Sequence, residues 1–170
     1  PPARWARQLI GALALAMPAL ALAQDAPTPD KGDTAWLLTS TILVILMTIP
    51  GLALFYGGMV RSKNVLSVLM QVFVTFCLIS LLWAIYGYAI AFPGADGTIF
   101  PWAIDGSALG LNSLLEVPEG AAYPPLAFVA FQATFAIITP ALISGTFAER
   151  ISFPAFALYM LLWSSFIYLP

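Results

Sequence analysis

Long stretches without a charged residue are the feature of this chain that most limits how it can fold. Four of them follow one another, at residues 34–60, 64–95, 120–148 and 151–170. Each is long enough for a membrane-spanning helix, since about 20 residues rising about 1.5 Å each cross a hydrocarbon core about 30 Å thick. A membrane β-barrel would instead show alternating segments of about 10 residues. The pattern predicts an all-α, polytopic membrane protein with helices over about 34–60, 65–92, 123–147 and 152–170.

Composition excludes several classes of protein. The chain is 61% hydrophobic and 8% charged, whereas a soluble domain carries about 25% charged residues. A net charge of -2 offers no basic face for nucleic acid. Cys77 has no second cysteine to pair with, and the sequence contains no histidine. We therefore expect no cofactor, no histidine-ligated metal and no enzymatic nucleophile–base pair.

The N-terminus has the pattern of a cleavable secretory signal over residues 1–23. Arg4 and Arg7 precede a short apolar core, and Ala21-Leu22-Ala23 provides an A-x-A cleavage site. The alternative is a short first membrane helix, but the apolar core is well below the roughly 20 residues needed to cross a bilayer. Residues 24–33 then form a polar periplasmic linker. Because the chain starts at Pro1 and stops within an apolar stretch, we expect an N-terminal fragment of a longer protein.

Basic residues in the short turns predict the orientation. Arg61 and Lys63 follow the first uncharged stretch, and Arg150 follows the third, whereas the loop at residues 93–123 has no Lys or Arg. The positive-inside rule places both short turns in the cytoplasm and the long loop outside. The mature N-terminus is then also outside, in agreement with a cleaved signal peptide.

The long outer loop is acidic and carries interfacial aromatic residues, Phe100 and Trp102. Its acidic residues are Asp96, Asp105, Glu116 and Glu119. Such a loop can attract cations toward the membrane. It can equally be an ordinary solvated loop, because charges separated by more than about 8–10 Å are screened. The sequence leaves both interpretations open.

Polar residues within the stretches are amides and hydroxyls rather than acids or bases. Without intramembrane charges, a proton relay or a voltage sensor is not expected here. In lipid, amides and hydroxyls commonly form hydrogen bonds between helices, and we expect this of the following residues. They are Gln71, Thr75, Gln132, Thr134, Thr139 and Ser144.

The first stretch contains a helix-breaking pair, Pro50-Gly51. Proline removes a backbone donor, so a kink or a close approach is expected there. Leu52, Phe55 and Tyr56 follow at i, i+3 and i+4 and therefore share one helix face near the cytoplasmic end.

The third stretch carries an aromatic stripe. Phe128, Phe131 and Phe135 recur at i, i+3 and i+7 on one helix face. Periodicity alone favours ordinary helix packing. The alternative is a passage near the outer surface, where a ring face attracts a cation by about 0.5–2 kcal/mol and stacked rings exclude water.

Two longer motifs carry a resemblance to a known family. MTIPGLALFYGGMVRSKNVLS at 47–67 resembles the end of the first helix and the first turn of the Amt/Rh ammonium transporters, the bacterial Amt branch in particular. AFQATFAIITPALISGTFAERISF at 130–153 is similar to that family's third helix and its following turn. The likeness covers about residues 36–170.

The resemblance implies roles for particular residues. Phe131 and Phe135 match the two rings that close the outer end of the family's pore, and Phe135 also matches a ring of the outer ammonium-recruitment site. Leu52, Phe55 and Tyr56 match residues that narrow the cytoplasmic end of the pore. These five residues are the expected substrate-binding and pore-lining positions.

The family also implies an architecture and an activity. Its members fold as eleven helices in two inverted five-helix repeats, so this chain would supply the first four helices. They assemble as homotrimers in the bacterial inner membrane, and a PII-type protein often plugs them from the cytoplasm. They recruit ammonium outside, remove its proton and pass ammonia through a hydrophobic pore.

Several parts of that machinery fall beyond Pro170. The family's paired pore histidines, the tryptophan and serine of the recruitment site and the aspartate beneath it all belong to later helices. Four helices alone are not expected to form a pore. Two other hypotheses stay open: an ammonium sensor with a cytoplasmic signalling domain, and a structural membrane subunit with no permeant.

Overall fold

The computed structural model describes residues 29–92 and 106–170, and within those ranges it contains helices and no strand. The helices that position the site are α1 (Lys31–Met59), α2 (Ser62–Ala91), α3 (Pro125–Phe147) and α4 (Phe153–Tyr168). A short 3-10 segment, Leu109–Leu114, precedes α3. The signal peptide, most of the linker and the outer-loop residues Asp96, Phe100, Trp102 and Asp105 lie outside the described residues.

Three of the four predicted helices are long and apolar enough to cross a membrane. They are α1, α2 and α3, with 29, 30 and 23 residues. The fourth, α4, is apolar but shorter. The all-helical, membrane-type architecture predicted from the uncharged stretches is confirmed for the part of the chain that the structure describes.

Helix α1 begins at Lys31, earlier than the predicted start at Thr34. The Asp30 side chain lies at the N-cap and accepts a hydrogen bond from the Asp33 backbone N–H at 2.9 Å. An aspartate at this position satisfies one of the free donors of the first turn, so the helix extends back into the predicted linker.

The predicted break in α1 is present at Ile49. This residue has φ -127° and ψ 107°, outside the helical region, immediately before Pro50. Proline disfavours the helical conformation of the residue before it, which accounts for the position of the kink. The helix resumes and continues to Met59.

The helices pack as a sheaf around α3. Helix α3 contacts α1 and α2, and α2 also contacts α4. The main buried cluster joins Ile79 and Trp83 of α2 to Val129 and Ala136 of α3. Small side chains such as the fully buried Ala141 let the helix backbones approach, which is how helices associate in a medium as apolar as their own side chains.

Most hydroxyls inside the helices do not join neighbouring helices, contrary to our expectation. Thr75, Thr134, Thr139 and Ser144 each donate to a carbonyl three or four residues earlier in their own helix. Short hydroxyl side chains reach these carbonyls easily, and this local bond wins when no partner lies opposite.

The side-chain oxygen of Gln71 also lacks the predicted partner in the described part of the chain. Gln71 is 4% exposed, and its Oε1 atom has no hydrogen-bond partner among the described residues. Hydrogen bonds between helices come instead from aromatic side chains. Trp83 Nε1 donates to the carbonyl of Val129 at 3.2 Å, and the Tyr86 hydroxyl bonds the Ser165 hydroxyl at 2.7 Å.

The two ends of the sheaf are each held by contacts between turns. At one end, the Asp30 backbone N–H donates to the Ala122 carbonyl at 2.8 Å, so the start of α1 lies beside the segment leading into α3. At the opposite end, the turn after α1 meets the turn after α3 through Glu149. The two short basic turns therefore lie together at one end of the sheaf.

Candidate functional site

The two predicted gate rings lie against each other on α3. The ring centroids of Phe131 and Phe135 are 5.1 Å apart, and their planes meet at 77°, an edge-to-face contact. Phe135 is 36% exposed, so the described residues leave part of its side chain uncovered. The two rings thus pack against each other without being fully enclosed.

The aromatic stripe of α3 divides into two groups. Phe128 does not join the Phe131–Phe135 pair but contacts Phe92 at 5.5 Å and Tyr123 at 6.1 Å between ring centroids. It belongs to an aromatic cluster at the start of α3. Helical periodicity places all three rings on one face and does not separate these groups, because the partners of Phe128 come from other parts of the chain.

An apolar groove of about 370 Å³ lies on the same side of α3 as the rings. Ile138 and Leu142 line it from α3, three and seven positions after Phe135, so the ring pair and the groove share one face of that helix. Helix α1 supplies the other wall at its kink, through Met47, Gly51, Leu52 and Phe55.

The groove contains two of the three predicted inner residues. Leu52 is 9% exposed and packs with Ile138 and Ala141, whereas Phe55 is 61% exposed. The α1 wall of the groove therefore combines the buried side chain of Leu52 with the ring of Phe55, which the described residues leave largely exposed.

The third inner residue, Tyr56, packs at the end of this groove. Its hydroxyl donates to the Leu142 carbonyl at 2.7 Å. Its ring lies over Gly145, where an added Cβ atom would stand only 2.5 Å from Tyr56 Cε1. The glycine makes room for the ring, and the hydrogen bond keeps it against α3.

A second cavity of about 420 Å³ lies beyond Tyr56. Val60 and Arg61 line one side, and Gly145, Ala148, Glu149 and Arg150 line the other. Glu149 accepts hydrogen bonds across the turns from Asn64 and from the Arg61 backbone N–H. These bonds, helped by the charges of Arg61 and Lys63, hold the pKa of the Glu149 carboxyl below its ordinary value.

The groove offers an environment for uncharged rather than charged molecules. Its lining side chains are all apolar, so none can stabilise an ion that has lost its water. Transfer of an ion into such a region costs several kcal/mol or more, even after relaxation. Among the described residues, no group of three or more His, Cys, Asp or Glu could hold a metal ion.

Sequence reasoning missed four residues of the site, two of which could have been found from the sequence. Ile138 and Leu142 continue the spacing of Phe131 and Phe135 and could have been found by extending that periodicity. Gly145 and the inner-cavity residue Glu149 could not, because their partners lie more than 80 residues away in the sequence. Only the packing of α1 against α3 brings them together.

Comparisons with known proteins agree with this geometry. A sequence profile described as Ammonium Transporter Family matches residues 35–170. An ammonium transporter of Mycobacterium bovis is 46% identical over 157 residues, which cover 84% of this chain and 32% of that protein. One from Bacillus subtilis is 45% identical over 145 residues, covering 83% of this chain and 34% of that protein.

A solved structure has a similar arrangement of helices. The crystal structure of Candida albicans Mep2 superposes with a TM-score of 0.70 at 27% sequence identity, over 84% of this chain and 30% of that one. The chain spans about a third of the length of the curated relatives it matches. A profile match over most of the chain and identities well above 40% establish descent, and the chain belongs to the ammonium transporter family.

Proposed function

We propose that this chain takes part in transmembrane uptake of ammonium, with Phe131 and Phe135 at the outer end of the pathway and Leu52, Phe55 and Tyr56 at the inner end. The observation that carries the proposal is the shared face of α3. An open ring pair continues into an apolar groove on that face.

Each part of this face suits one step of uptake. The exposed face of Phe135 attracts a cation without a fixed opposite charge, so ammonium can arrive and leave again. The apolar groove excludes the ion but admits ammonia, so the proton must be lost between the rings and the groove. None of the groove side chains can accept that proton, and the acceptor must come from outside the groove.

The finer assignments belong to the same proposal. We place the protein in a bacterial inner membrane with the start of α1 outside, on the basis of Arg61, Lys63 and Arg150. Cleavage of residues 1–23 rests on the signal-peptide pattern at the N-terminus. Assembly as a homotrimer and binding of a PII-type protein at the inner turns rest on the family resemblance. No specific observation favours the sensor hypothesis or a structural subunit without a permeant.

Uptake in cells that lack their own ammonium transporters tests the proposal. The complete open reading frame containing this chain should restore growth on low ammonium and accumulation of labelled methylammonium. A double variant, with both Phe131→Ala and Phe135→Ala, tests whether the two outer rings belong to the uptake pathway. Normal membrane insertion with no uptake by the parent protein would refute the proposal.

A further inference from the structure

A single carboxylate joins the two turns at the inner end of the sheaf. Oε1 of Glu149 accepts a hydrogen bond from the Arg61 backbone N–H at 3.1 Å and another from Asn64 Nδ2 at 2.8 Å. Glu149 follows α3, whereas Arg61 lies between α1 and α2 and Asn64 lies in the first turn of α2. One oxygen atom thus links segments that are 85 and 88 residues apart in the sequence.

Glu149 has a backbone conformation that is unusual for a residue with a side chain. Its φ of 63° lies in the left-handed region, which residues with a Cβ atom rarely adopt and where glycine is usual. From this position its carboxylate meets the opposite turn at Arg61 and Asn64. A glutamate can be held there because its hydrogen bonds compensate for the unfavourable backbone.

The linked turns are also the two walls of the inner cavity. Val60 and Arg61 belong to one wall, and Ala148 and Glu149 to the other, with the Tyr56 ring at the top. The walls carry like charges, since Arg61 and Lys63 stand on one turn and Arg150 on the other. Like charges favour separation of the turns, and the Glu149 carboxylate between them counters that tendency.

We propose that Glu149 is a positioning residue that holds the two inner turns together and thereby sets the width of the inner mouth beneath Tyr56. The contribution of Glu149 to transport rests on the proposed function, whereas its contribution to the shape of the cavity is independent of that function. The two contributions can therefore be measured separately.

Cysteine labelling measures the cavity directly. Val60 lines the cavity and is half-buried, so Val60→Cys, in a Cys77→Ser background, reports on how open the mouth is. The full chain in inside-out membrane vesicles is treated with a charged methanethiosulfonate. Glu149→Ala should raise the rate of modification several-fold, because the wall is no longer tied to the turn at Arg61 and Asn64.

Three further variants separate the linkage from a general loss of structure. Glu149→Gln keeps an acceptor oxygen and should restore a rate close to that of the parent. Asn64→Ala removes one of the two donors and should give a smaller increase, with no added effect in the Glu149→Ala background. Lys63→Gln removes one of the like charges without removing a hydrogen bond, and its rate should not rise as the rate of Glu149→Ala does.

The outcomes decide whether Glu149 holds the two turns together or only occupies its position without doing so. Equal rates for the parent and Glu149→Ala would overturn the proposal. If Glu149→Ala fails to insert into the membrane, the Asn64→Ala variant is used instead. An unchanged rate of cysteine modification in that variant would also overturn the proposal. In uptake measurements, Glu149→Ala should lower the maximal rate and leave the half-saturating concentration unchanged, since the outer rings are untouched. A labelling effect without any uptake by the parent would instead refute the proposed function alone.

Discussion

The outer and inner halves of the α3 face are closed in different ways. At the outer half, Phe131 and Phe135 contact each other edge to face with no hydrogen bond between them. At the inner half, Tyr56 is fitted over Gly145 and bonded to the Leu142 carbonyl. A ring contact alone restrains a side chain less than a close fit combined with a hydrogen bond does. Under the proposed function, the ring pair would be the part that admits a solute, and Tyr56 the part that keeps a defined shape.

The largest expected effect on stability comes from filling the space beneath the Tyr56 ring. Gly145→Ala places a Cβ atom 2.5 Å from the ring, so the ring must move and lose its hydrogen bond. Overpacking of this kind costs about 1–3 kcal/mol of stability. Thermal unfolding in detergent should show it. Gly58→Ala is the control, because an added Cβ atom there meets nothing within 4 Å. Equal unfolding temperatures for both variants would mean that Tyr56 is not held in place.

A smaller effect is expected when the ring stays and only its hydroxyl is removed. Tyr56→Phe keeps the fit over Gly145 but loses the bond to Leu142, which corresponds to about 0.5–1.5 kcal/mol. The matched control is Tyr159→Phe, since the Tyr159 hydroxyl forms no hydrogen bond in the described part of the chain. The same unfolding measurement applies, and a larger loss from Tyr159→Phe would contradict the assigned role.

The outer rings should affect binding more than stability. Phe135→Ala removes an exposed ring face that attracts a cation by about 0.5–1 kcal/mol, which is roughly a two- to fivefold rise in the half-saturating ammonium concentration. Uptake measured over a range of concentrations tests this. Phe128→Ala is the control, because that ring belongs to the cluster with Phe92 and Tyr123. If Phe128→Ala raises the half-saturating ammonium concentration as much as Phe135→Ala does, the three rings of the stripe act together.

The smallest effect is the pH dependence of the linkage at Glu149. The pKa of this carboxyl is lowered from its ordinary 4.5 by its hydrogen bonds, so the charged form is favoured in the folded state. The stabilisation is fully present above the unfolded-state pKa and is lost as the pH falls through the lower folded-state pKa.

Unfolding temperatures measured at about pH 6 and about pH 3.5 test that sign, since the interval includes the ordinary pKa of a glutamate. The parent should lose slightly more stability over this interval than Glu149→Gln, which cannot titrate. A parent that loses less than the variant would show that the charged carboxylate does not stabilise the inner turns.

Much of the fold could be predicted from periodicity and charge. The uncharged stretches predicted four helices whose bounds agree with α1 to α4 within a few residues, because membrane length and backbone hydrogen bonding leave few alternatives. The kink was predictable because proline acts on its own neighbour. The Asp30 cap was not predicted, because the predicted linker ran past it.

The candidate site was only partly predictable. The spacing of Phe131 and Phe135 identified a ring pair, but it also included Phe128, which lies elsewhere. The expected hydrogen bonds of Thr134 and Ser144 between helices were wrong, because a bond to their own helix was closer at hand. Spacing describes one helix at a time and does not tell what stands opposite a side chain.

The sequence by itself thus determined that this chain forms membrane-type helices, where they lie to within a few residues, and to which family their motifs are similar. These features depend on local composition and on neighbours a few positions away. Only the tertiary structure decided that Tyr56 rests on Gly145, that Leu52 meets Ile138, and that Glu149 reaches Asn64. Those contacts depend on how α1 lies against α3, and that geometry is set by packing over the whole helix pair.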